Sequence, residues 1–166
     1  MTRACTLAAV RESLTPEQWA RLEAINPHLA APVAKARARG ELVEASAHRD
    51  GPRVTVVAKG LRLTLTPNEL RRTHPLKEAR VRRREHEVVR RALVGITPPA
   101  PPWRVVIVRL GPVAVDSDAA WTSAKSVRDE IAAWCGVDDG DARYDWEVRG
   151  EVARGYAVRI TIEGGV

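Results

Sequence analysis

Phenylalanine is absent from this chain, and its 166 residues include only one methionine and two tyrosines. The aromatic bulk of any core must therefore come from Trp19, Trp103, Trp121, Trp134 and Trp146. Cysteine is as scarce: Cys5 and Cys135 form neither a CxxC pair nor a metal-ligand spacing. That excludes a disulfide-stapled fold and a cysteine zinc site, and it predicts reduced thiols. His28, His48, His74 and His86 are scattered and make no zinc or catalytic set. Ser117 and Ser123 have no base near them in sequence, so nothing points to nucleophilic catalysis. No apolar run approaches the ~18–20 residues of a membrane span, and the N-terminus has no signal-peptide core. A soluble, cytoplasmic protein without a membrane partner is expected.

Lysine is nearly missing too. Lys35, Lys59, Lys77 and Lys125 are the only ones, yet the net charge is +6, so arginine supplies almost all of the positive charge. Its planar fork suits phosphate. Abundant alanine beside it also marks GC-rich coding, so the arginine excess alone does not name nucleic acid as the partner. The length matches one domain with an extension, and a 45% hydrophobic content can fill one core.

Thr15-Pro16-Glu17-Gln18 reads as a capping-box helix start, followed by Trp19, Leu22 and Ile25 on one helical face. Asn26-Pro27 breaks that helix, and a second Ala/Arg-rich segment runs to Gly40. The turn cluster from His48 to Pro52 sets the boundary, giving a helical extension over 1–50 and a main domain over 51–166. Arg53–Ala58 and Leu61–Leu65 read as a hairpin joined by Lys59-Gly60, with Thr66-Pro67-Asn68 ending the second strand. A basic helix is predicted from about Leu76 to Val94. The run from Thr97 to Pro102 is a stiff connector, and Trp103–Leu110 is a central strand. Ala120, Ala124, Val127, Ile131 and Trp134 share one stripe of an amphipathic helix ended by Gly136. Strands are predicted over Arg143–Arg149 and Tyr156–Ile162. The expected fold is α/β (α+β), a compact mixed sheet with two packed helices behind a helical N-terminal extension.

The chemistry gathers late. Asp116 and Asp118 flank a serine just past the predicted central strand, and alternation in extended chain would send both carboxylates to one side. One or two carboxylates plus substrate phosphate commonly hold Mg²⁺. The alternative is structural: Asp118 as a helix cap and Asp116 as a turn residue. Asp118, Thr122, Lys125 and Asp129 recur along one polar helix face, so Lys125 would point to the side of Asp118 and contact phosphate, or else belong to a solvated face. The run Gly136-Val-Asp138-Asp139-Gly-Asp141 fits an Asx turn and lacks EF-hand spacing.

Taken together, Arg109-Leu-Gly-Pro112, Asp116-x-Asp118, Lys125-Ser-Val-Arg-Asp129 and Gly136-Val-Asp-Asp-Gly-Asp141 resemble the phage-type members of the RusA-like Holliday junction resolvases. Pro67-Asn68 before an Arg-rich helix resembles them as well, and the likeness spans roughly residues 53–163. The resemblance implies a homodimeric, Mg²⁺-dependent endonuclease, with Mn²⁺ as the alternative ion, that cuts four-way DNA junctions in phage or prophage recombination and repair. By motif position Asp116, Asp118 and Asp139 are its catalytic carboxylates, with Asp138 adjacent as a further metal ligand, and Lys125 stands in for a lysine that the family carries where this chain has Thr122. Arg80, Arg82, Arg83, Arg84, Arg90, Arg91 and Asn68 would contact DNA. Ala119-Ala120 replaces the family's Asn-Leu. This change and Thr122 motivate a second expectation, a junction- or duplex-binding protein with weakened cleavage. A third is a small DNA-binding regulator that uses the N-terminal helices, though no helix-turn-helix pattern is present. A straight helix from Asp118 to Trp134 would be about 24 Å long. That length leaves Asp139 beyond the far end and predicts either a site completed by the partner subunit's own copy of that residue or a helix that starts late and bends.

Overall fold

Val54, Val56 and Ala58 alternate with more exposed residues along strand β2, Arg53–Lys59, and all three are fully buried. The same period-two pattern puts Val158, Ile160 and Ile162 of β5, Ala157–Gly164, on the inner face. The computed structural model describes residues 15–18, 43–63 and 66–165. These include β1, Glu44–Asp50, β3, Trp103–Gly111, and β4, Tyr144–Val152. The sheet order is β1-β2-β5-β3-β4. β3 is antiparallel to β5 and parallel to β4, so the sheet is mixed and the fold is α+β.

Two long helices cover the inner face. Helix α2, Pro75–Leu93, contributes Val88, Val89 and Leu93 to the core, and α4, Lys125–Cys135, contributes Val127 and Ile131. Two short helices, α1, Pro67–Leu70, and α3, Ser117–Ser123, lie at chain turns. Burying these apolar side chains supplies the driving force, at about 25 cal/mol per Å² of apolar surface. Three indoles then fix the connections. Trp103 Nε1 donates to Pro99 O at 2.9 Å, Trp134 Nε1 to Ile96 O at 3.0 Å, and Trp146 Nε1 to Asp139 O at 3.0 Å.

Three sequence expectations need correction. The chain divides between Leu42 and Val43, not after Asp50. The turn at Gly51-Pro52 joins β1 to β2, with Asp50 opposite Arg53 and Gly51 at φ 55. β1 escapes pattern reading because it is a mostly exposed edge strand with no apolar alternation. Secondly, Leu61 and Leu63 are buried but belong to no strand, and residues 64–65 lie outside the described residues. Thr66-Pro67 does not close a strand but opens α1 through a capping box with Glu69. Thirdly, the helix expected from Asp118 to Trp134 is two helices meeting at Ala124 (φ −85°, ψ 1°). The apolar stripe survives this break, since Ala120, Ala124, Val127 and Ile131 are all fully buried.

In the first unit, Met1–Leu42, only residues 15–18 are described. Thr15 N–H donates to Gln18 Oε1 at 2.9 Å and Gln18 N–H to Thr15 Oγ1 at 3.3 Å, which is the capping box. Trp19, Leu22, Ile25, the Asn26-Pro27 break and the segment to Gly40 lie outside the described residues, as does Cys5.

Candidate active site at the end of strand β3

Asp116 and Asp118 lie where the chain leaves β3 and enters α3. Asp116 is the N-cap of α3: its backbone is extended, and Oδ1 accepts the Ala119 N–H at 2.7 Å. Capping therefore falls to Asp116, and Asp118 sits in the first turn, where its charge favours the helix N-terminus. Both carboxylates are exposed, and neither forms an ion pair among the described residues. Gly150 of β4 makes this placement possible. A Cβ there would collide with Val115 Cγ2, so the residue before Asp116 can cross β4 only above a glycine.

Asp139 has different surroundings. Gly136, at φ 76, ends α4 in the left-handed conformation, and the chain folds back along the helix. Arg128 Nη1 stands 3.4 Å from Asp139 Oδ2, and Lys125 Nζ 3.8 Å from the same oxygen. Lys125 also donates to Asp129 Oδ1 at 3.0 Å. Arg128 is buried, and its guanidinium lies 4.0 Å from the Trp121 ring centroid, tying α3 to α4. Asp138 is exposed and accepts the Gly140 N–H at 2.9 Å, an Asx turn. Asp141 accepts from Arg143 Nε and Nη2, both at 2.8 Å, and these bonds hold its carboxyl down at a pKa of about 2.

This geometry removes the basis for a site shared between subunits. Because the helix breaks at Ala124 and the 136–141 turn folds back, Asp139 reaches the first residue of α4 within its own chain. Lys125 heads α4 and pairs with Asp129 and Asp139, so the polar face expected to run unbroken from Asp118 to Asp129 is interrupted. Among the described residues, no three His, Cys, Asp or Glu side chains are grouped to hold a metal ion. Asp116, Asp118 and Asp139 thus do not form a three-carboxylate set in this arrangement. Asp116 caps α3 and Asp118 lies inside its first turn, so the alternation of extended chain expected to send both carboxylates to one side does not apply here.

The basic helix is less uniform than its sequence. Arg82 Nε donates to Glu78 at 2.8 Å, and Arg90 Nε to the buried Glu130 at 2.8 Å. Glu130 also meets His86 Nδ1 at 3.1 Å, joining α2 to α4. Arg91 lies 3.7 Å from Glu87. Arg80, Arg83 and Arg84 are exposed, and Arg84 has a partner. Asn68 is exposed on α1, which touches α3.

Three side chains with no role assigned from sequence belong to this region. Arg128 falls four residues after Ala124 and three before Ile131, on the buried stripe, and that position was the available signal. Arg109 stood in the quoted Arg109-Leu-Gly-Pro112 segment without a role of its own, and Arg62, which follows a buried leucine, carried no signal. The chain matches no protein-family model and no curated protein. The resemblance to RusA-like resolvases therefore rests on the residues quoted for it.

Proposed function

We propose that the chain is a divalent-cation-dependent, structure-selective endodeoxyribonuclease acting on four-way and related branched DNA. The observation that carries this reading is the exposed Asp116 and Asp118, without an ion pair among the described residues, at a strand-to-helix junction in a chain of net charge +6. Exposed paired carboxylates on a cationic protein favour a ligand that brings both a cation and negative charge, as Mg²⁺ and a phosphodiester do. Mg²⁺ or Mn²⁺ held by Asp116 and Asp118 would neutralise charge on the phosphate and lower the pKa of bound water. Asp116 would do this with the oxygen it does not spend on the Ala119 N–H. Arg80, Arg83 and Asn68 are exposed and free to meet DNA phosphates. A homodimeric state and a place in phage or prophage recombination in the host cytoplasm follow from the resemblance alone. No helix among the described residues is long and apolar enough to cross a membrane.

A second reading has its own observation. Asp139 is ion-paired with Arg128 and Lys125, which engages a carboxylate that cleavage would need and favours a protein that binds branched DNA without cutting it. End-labelled four-way junction incubated with protein and Mg²⁺, beside Asp118→Asn, separates the two. Nicking by the parent and none by the variant is expected. Retained junction binding with no nicking by the parent would leave the binding protein as the function.

A further inference from the structure

At the end of the inner sheet face, beside α1, the Arg62 guanidinium approaches the Glu69 carboxylate near a second arginine, Arg109. Arg62 lies 5.0 Å from the centroid of the Tyr156 ring, and its Nη2 is 3.9 Å from Glu69 Oε1. Arg109, on the inward face of β3, is half-buried and in register with Val158. Its Nη1 is buried and has no hydrogen-bond partner among the described residues. Burial lowers the pKa of Arg109; Glu69 opposes that and Arg62 adds to it, so all three side chains share one electrostatic environment. Glu69 is not free to serve both arginines, because its Oε2 accepts the Thr66 N–H at 3.2 Å and the Thr66 hydroxyl at 2.9 Å in the α1 cap.

The charge count leaves one excess positive charge in a partly desolvated corner. A buried donor without a partner destabilises the fold, and two like charges held together add to that. Such an arrangement is stable in company with an anion. The forked geometry of two guanidiniums selects a tetrahedral oxyanion, since each can present paired N–H groups to phosphate oxygens. Entry is from the Arg62 side, which is exposed. The corner adjoins the carboxylate pair, because α1 touches α3, whose N-cap is Asp116.

We propose that Arg62 and Arg109 form a phosphate-binding site, and that it takes a backbone phosphate of the nucleic acid. The second half rests on the nucleic-acid reading above; the first does not. Inorganic phosphate is the probe for the site and a four-way junction without divalent cation the probe for the source, so neither arm depends on cleavage. Phosphate at tenfold its Kd should raise the parent's Tm by about 3–6 °C at constant ionic strength. Arg109→Met should remove that rise, and without phosphate it should melt no lower than the parent, because it deletes a partnerless donor. Arg62→Gln, on an exposed residue, should also remove the rise. Each variant should weaken junction binding about tenfold, the loss of roughly one charge-assisted contact. An equal Tm rise in parent and variants would overturn the site. So would a lower Tm for Arg109→Met in phosphate-free buffer, which would make Arg109 a structural counter-ion of Glu69. Loss of the phosphate response with unchanged junction affinity would overturn the nucleic-acid assignment.

Discussion

Asp118 and Asp139 are both acids in loops or first turns, both implicated by the same sequence likeness, yet they sit in opposite electrostatic conditions. Asp118 is exposed and unpaired among the described residues, whereas Asp139 faces Arg128 at 3.4 Å and Lys125 at 3.8 Å. An unpaired carboxylate can take up a cation at little cost to the fold. A paired one must first leave partners, and here one of those partners is buried. The difference separates residues available for chemistry from residues that hold the chain in shape.

The largest expected effect tests that separation directly. Asp118→Asn should reduce junction cleavage by at least about a hundredfold. Its unfolding free energy should stay within about 0.5 kcal/mol of the parent, as for other exposed substitutions. Asp139→Asn should lower stability by about 1–3 kcal/mol, because it leaves the buried Arg128 without its carboxylate. Urea titrations of both variants beside a cleavage assay give the comparison. Equal stability losses would show that the two acids are not distinguished as described.

The partner side of the pair should matter more to folding. Arg128→Ala removes a buried guanidinium, its contact with Trp121 and the ion pair that holds the 136–141 turn. A loss of about 3 kcal/mol is expected. Arg128→Met, which keeps volume without charge, should recover part of it. If Arg128→Ala unfolds at the parent's urea midpoint, the turn is held by other contacts, such as the Trp146–Asp139 hydrogen bond.

A third test divides the two functions of Asp116. As an N-cap it should contribute about 1 kcal/mol, which Asp116→Ala loses and Asp116→Asn retains. Asparagine keeps the side-chain oxygen that meets the Ala119 N–H but removes the charge a cation needs. Stability preserved in Asp116→Asn with cleavage lost would assign the charge to chemistry. Cleavage at the parent rate in Asp116→Asn would confine the residue to capping.

Legibility in the sequence follows the same division. The buried elements announce themselves by period: Trp103 to Leu110 is nearly continuous in hydrophobicity, interrupted by Arg104 and Arg109, and the stripe through Val127 and Ile131 has helical spacing. Both sit where one face must meet a core, and burial enforces the pattern. The break at Ala124 leaves no such trace, since no glycine or proline lies between Asp118 and Trp134. Its cause is local. The Ser123 hydroxyl donates to Ala120 O at 2.9 Å, the carbonyl that also accepts the Ala124 N–H at 3.1 Å. Serine in this position competes with the backbone ladder and bends it. Everything about the candidate site that depended on an unbroken helix was therefore hidden, including the return of Asp139 to Lys125. The Arg62 and Arg109 corner was hidden for another reason: it joins a segment after β2 to the end of β3, and no spacing rule links them.

The smallest expected effect concerns Asp141, a partly buried carboxylate paired like Asp139, but with an exposed partner, Arg143, where Asp139 has the buried Arg128. Arg143 holds its pKa at about 2, below the ~3.9 of an unfolded chain. Between those values the unfolded chain binds more protons than the folded one, so stability falls as pH falls. The contribution of this pair is present above about pH 4 and is lost as pH drops toward 2. Asp141→Asn should therefore be slightly less stable than the parent at pH 7 and lose less between pH 4 and pH 2. Added salt should shrink the difference, because a pair with an exposed partner is screened. Parallel urea midpoints for parent and variant across that range would show that Arg143 holds no more than a loop conformation, and that pairing matters to this fold only where, as at Arg128, one partner is buried.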